Sequence, residues 1–119
     1  MKKYDEIHIY LVSFCMIFSD NAYFVLEIAH GQGDSIYSCA EVVFNCIPNE
    51  AAYYGLIKGL AISHMYTSGR VNVGTGSINL IKQMKGVEKV RGSKLIRLNC
   101  KARILEERFK EVIYEDFSD

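Results

Sequence analysis

The stretch Asn49–Gly86 reads NEAAYYGLIKGL (49–60), AISHMYTSGR (61–70) and VNVGTGSINLIKQMKG (71–86). Asn49 is a good helix N-cap, and Glu50 puts negative charge into the first turn. A helix is expected from there to about Tyr66, with Ala52, Leu56, Gly59, Leu60 and Ser63 along one side. The small residues Ala51, Ala52, Gly55 and Gly59 would let it sit close against a sheet. Ser68-Gly69 stops it. Arg70–Gly74 is a short strand, Ser77 can cap a helix over Ile78–Lys85, and Gly86 ends that helix.

Upstream, Glu6–Phe18 is rich in Ile, Tyr, Val and Phe with almost no polar alternation, which predicts a central strand covered on both faces. Ala22–His30 and Ile36–Phe44 are two further strands, joined by the turn signals Ser19-Asp20-Asn21 and Gly31–Ser35. Three strands with short turns make an antiparallel meander. Downstream, Ser93 opens a helix from Lys94 to about Phe109, with Leu95, Leu98, Ala102 and Leu105 at helical spacing, and Glu111–Glu115 is a last strand. The order is βββαβααβ, with no repeat or linker, so residues 1–119 form one domain with a single core.

Charge is balanced overall but unevenly placed. Between Lys82 and Lys110 ten Lys/Arg face three acids, about +7, and the rest of the chain carries the opposite charge. A polar molecule of this kind can attract a polyanion with one face. No apolar run reaches the ~18 residues of a membrane helix. Lys2 and Lys3 are followed at once by Asp5 and Glu6 with no small-residue cleavage site, so a buried strand is expected here, with an uncleaved signal as the alternative. Cys15, Cys39, Cys46 and Cys100 lie far apart without CxxC spacing, which points away from zinc and toward an intracellular protein with reduced, mostly buried thiols. His8, His30 and His64 fall on separate elements without a nucleophile to pair with. Gly74-Thr75-Gly76-Ser77 before a helix looks like a weak phosphate-cradling turn without a full nucleotide-binding pattern.

The order of elements, together with Tyr37-Ser38, Phe44-Asn45-Cys46, Asn49-Glu50-Ala51, Tyr53, Leu56-Ile57, Gly59-Leu60, Val73, Ser77, Leu80-Ile81, Gln83, Gly86, Lys89-Val90, Leu95, Ala102 and Phe109, resembles the ribonuclease H fold. Within it the chain is most similar to the RNase H-like domain of plant proteins and of gypsy-type LTR retrotransposons. The resemblance implies an α/β fold with a mixed five-stranded sheet, three strands antiparallel and two parallel, flanked by helices, with the family's last helix missing.

Such nucleases hold two magnesium ions with carboxylates, which activate water and stabilise the leaving oxygen. Carried onto this chain, the strand-one Asp falls at Val12, the helix Glu at Ala52 and the second Asp at Gly76. A later His position falls within Asp116–Asp119. Glu50 is two residues from Ala52 and so on another helix face, Asp5 and Asp20 are explained as solvated turn positions, and Asp116, next to the last strand, is a single carboxylate that makes a poor two-metal site. The resemblance with these departures predicts no metal, no cofactor and no enzyme. The expected function is a catalytically inactive binding module for nucleic acid, RNA/DNA hybrid or RNA backbone, through Lys82, Lys85, Lys89, Arg91 and Lys94. The alternative is a protein–protein interaction module or homodimer, and a third reading is an active magnesium-dependent ribonuclease H. No membrane partner is expected.

Overall fold

The computed structural model describes residues 3–117. The strands are β1 (Glu6–Cys15), β2 (Ala22–His30), β3 (Asp34–Val43), β4 (Arg70–Thr75) and β5 (Glu111–Asp116), and the helices are α1 (Pro48–Ser63), α2 (Ile78–Met84) and α3 (Ser93–Glu106). One sheet has the order β3-β2-β1-β4-β5. β1–β2 and β2–β3 pair antiparallel, whereas β1–β4 and β4–β5 pair parallel. The expected sheet and element order are therefore both present.

Alternation along the strands separates two faces. Ile7, Ile9 and Leu11 of β1, Phe24, Leu26 and Ile28 of β2, and Val71 and Val73 of β4 point inward and are buried. They meet Ala52, Tyr53, Leu56 and Leu60 of α1 and Leu98, Ala102 and Leu105 of α3 in one core. α1 approaches closely because it carries no side chain where it crosses the sheet. A Cβ at Gly55 would lie 2.3 Å from Leu11 Cδ1 and 2.9 Å from Phe24 Cδ1, and one at Gly59 would lie 3.1 Å from Leu26 Cδ1.

Two expectations are corrected. β1 is central but covered on one face only, since Tyr10 and Phe14 on the other face are 40% and 47% exposed. An uninterrupted apolar run fixes a strand's place in the sheet, not what covers it. Of the four thiols only Cys46 is buried, with Cys15 and Cys100 exposed. Burial and then the neighbouring Glu50 push the Cys46 thiol up to about 11, so it stays protonated. Among the described residues no helix is long and apolar enough to cross a membrane.

Candidate nucleic-acid groove

The parallel pairing of β1 with β4 ends at Leu11, opposite Thr75. The last residues of β1 beyond that pairing, the chain after β4 and the first turn of α1 border a cleft of about 360 Å³. It is lined by Val12, Ser13 and Phe14 from β1, Pro48 and Asn49 from α1, and Gly76 to Asn79 at the start of α2. A second hollow shares Asn49 and Asn79 and continues past Gln83 to Glu88, Lys89, Arg91 and Leu95. The two form one groove, apolar and aromatic at the β1 end and basic at the other.

Its floor is held by a polar network. Tyr53 Oη donates to Gln83 Oε1 at 2.9 Å, and Asn99 Nδ2 donates to Tyr53 Oη at 3.1 Å. Arg103 Nε donates to Asn99 Oδ1 at 3.0 Å, and its terminal nitrogen to the Gln83 carbonyl at 2.9 Å. Burial pushes the Tyr53 phenol up, which keeps it a donor. Asn49 Nδ2 donates to Gln83 Oε1 at 3.4 Å, while Asn49 Oδ1 is buried without a partner. Asn49 is thus part of the groove rather than the cap expected of it. The residue before α1 is Ile47, Pro48 opens the helix, and the Ile47 N–H is satisfied by Glu50 Oε1 at 3.1 Å.

The residues singled out by sequence separate into groups. Val12 and Gly76 both line the groove, but Ala52 lies deeper on α1 and is fully buried. Glu50 caps α1 and lies 3.4 Å from Lys94 Nζ, which also donates to the Asn45 carbonyl at 3.1 Å. Lys89 and Arg91 form the basic end of the groove. Lys82 and Lys85 are exposed on or just after α2 and do not line it. Among the described residues none of Lys82, Lys85, Lys89 and Arg91 pairs with a carboxylate, because the ion pairs lie elsewhere. Phe14 and Asn79 were not anticipated, and only the fold brings them to Asn49. The three histidines stand apart: His30 stacks on Tyr4, His64 meets Phe109 edge-on, and His8 lies near Glu6.

Magnesium requires hard oxygen donors. The side chains lining the β1 end offer only the hydroxyls of Ser13 and Ser77 and the amides of Asn49 and Asn79, with no carboxylate. Taken alone they do not fit a pair of magnesium ions, and no catalytic step follows from them. Asp116 pairs with Thr75 across β4–β5, next to the groove. Ser118 and Asp119, on which part of the expected His-containing motif falls, lie outside the described residues.

No protein-family model and no curated protein sequence matches the chain. Solved structures do. An N-terminal RNase H domain from Mycobacterium tuberculosis, solved as a fusion with maltose-binding protein, superposes with a TM-score of 0.87 at 21% identity, over 95% of this chain and 82% of that one. RNase H1 from Halobacterium salinarum gives 0.83 at 19% identity, over 93% and 84%. LC11-RNase H1 in complex with RNA/DNA hybrid gives 0.84 at 22% identity, over 93% and 84%. The chain has the RNase H-like fold.

These matches correct the expectation that the chain is no enzyme. The three solved structures named above are ribonucleases H, and nearly the whole chain superposes on them. That expectation rested on positions mapped by resemblance: Val12, Ala52 and Gly76, the His position within Asp116–Asp119, and the family's last helix. Magnesium is commonly held by one or two carboxylates with water and substrate phosphates, so mapped positions by themselves do not decide the question.

Proposed function

We propose that the chain binds nucleic acid along its backbone, with RNA/DNA hybrid as the first ligand to test and Lys89 and Arg91 as the central contacts. The observation that carries this reading is the basic end of the groove, where the two cations carry no carboxylate partner. A cation without a partner is free to replace the counterions of a phosphate, and that release drives association at low salt. Lys82 and Lys85, exposed nearby in sequence, add to the field that steers a polyanion. Lys94 contributes less, because Glu50 and the Asn45 carbonyl already engage it. The fold supports the reading by analogy, since one protein that shares it was solved with RNA/DNA hybrid. The plant or gypsy-type ancestry read from the motifs is retained as part of this proposal.

The test is a titration of labelled hybrid in magnesium buffer at several salt concentrations, with the products run on a gel. Binding that weakens steeply with salt is expected, and the gel reads cleavage independently. Absence of binding at low salt would overturn the proposal.

A second reading rests on a different surface. The outer face of the sheet leaves Tyr10, Val25, Val42, Ile113 and Phe117 exposed, an apolar area that a second copy would cover. Light scattering over a range of concentrations tests it, and a monomer throughout would remove it.

A further inference from the structure

We propose that the β1 end of the groove receives an unpaired nucleobase, so that the ligand filling the whole groove is single-stranded rather than a closed duplex. This rests on the reading of Lys89 and Arg91 as phosphate contacts and adds a second, chemically different contact.

Phe14 is 47% exposed although it sits on the central strand, and its ring lies 5.3 Å from that of Tyr23, its partner across β1–β2. The two planes are inclined by 31°. Phe14 and Ile78, the latter 39% exposed, both line the cleft. At about 360 Å³ the cleft is in the range of small-molecule sites, about 300–1,000 Å³. Asn79, exposed and shared by both hollows, offers an amide between Phe14 and Lys89/Arg91, a group that pairs with base edges and sugars.

An aromatic wall joined by polar groups to a basic end is the combination that holds single strands, where phosphates meet cations and base faces stack on rings. In a duplex both faces of each internal base are already stacked on neighbours, so such a wall has nothing to receive. A protein partner would use the aromatic wall equally well. It gives no reason for two unpaired cations at the far end of the same groove.

The experiment uses a short oligonucleotide, as RNA and as DNA, carrying a fluorescent base analogue, either alone or annealed as a blunt RNA/DNA hybrid. Binding of the single strand should quench the analogue. Phe14→Leu, which keeps an apolar side chain but removes the ring, should weaken single-strand affinity by about tenfold or more. Phe14→Tyr should restore it, and Phe14→Leu should leave hybrid affinity unchanged. Thermal unfolding checks that both variants are folded. Single-strand binding without quenching, or with Phe14→Leu equal to wild type, overturns the aromatic site while leaving the backbone reading intact. Failure of both ligands to bind at low salt overturns both.

Discussion

The two ends of α1 obey different rules. Around Gly55 and Gly59 the helix lies against β1 and β2 with no room for a side chain, and every neighbour is apolar. One turn before Ala52, at Pro48 and Asn49, the same helix borders an open groove lined by hydroxyls, amides and a half-exposed ring. Packing dictates the first region almost residue by residue. The second is constrained only by which loops arrive there, so its chemistry can vary while the fold stays put. That difference explains how less than a quarter of the residues are identical to the solved ribonucleases H while nearly the whole chain superposes.

The sharpest way to break the comparison is to add volume at the packed end. Gly55→Val should cost about 3 kcal/mol or more, since its Cβ overlaps Leu11 and Phe24, and helix propensity returns at most about 1 kcal/mol. Gly59→Ala, whose Cβ would make only tight contacts with Leu26 and Ile9, should fall within about 1 kcal/mol of wild type. Chemical denaturation checks both, and equal effects would mean that the close approach at Gly55 is not what fixes α1.

Tyr53→Phe probes the link between the two ends. It takes a donor from Gln83 Oε1 and an acceptor from Asn99 in a buried setting, so a loss of about 1–2 kcal/mol is expected. If stability is unchanged, the network does not hold the groove floor.

A smaller, pH-dependent effect belongs to Glu106, which accepts from Tyr114 Oη at 2.5 Å. Burial raises its carboxyl above the ordinary value of 4.5, against the lowering effect of Tyr114 and Arg103. The folded state then binds the proton more tightly than the unfolded chain. Stability from this group is present below the unfolded pKa and is lost as pH rises through the folded one. Glu106→Gln should therefore gain stability relative to wild type at neutral pH and lose that advantage at pH 4. A denaturant midpoint that shifts equally at both pH values would contradict the assignment.

Much of the fold was legible because it is written in local patterns: apolar strands, small residues at helical spacing on α1, and glycines at the ends of helices. The groove was legible only in part. Val12 and Gly76, mapped by resemblance, line one cleft, but Ala52 is core, fully buried against the sheet. Asn49 reads as a cap from its type and position, yet Pro48 already opens the helix and frees the amide to reach Gln83. Phe14 carries no signal that separates it from any other residue of an apolar strand. Lys82, Lys85, Lys89, Arg91 and Lys94 form one cluster in sequence, but the turn after α2 sends only Lys89 and Arg91 into the groove, while Lys94 goes to Glu50.

If Lys89 and Arg91 are the phosphate contacts, the salt dependence of hybrid binding reports them most directly. In Lys89→Gln/Arg91→Gln, stability should stay within about 0.5 kcal/mol of wild type, because both residues are exposed. The slope of log affinity against log salt should become shallower by about 2, roughly one for each lost contact. A slope identical to that of the wild type, with the double variant folded, would contradict the account and place the backbone contacts elsewhere on the chain.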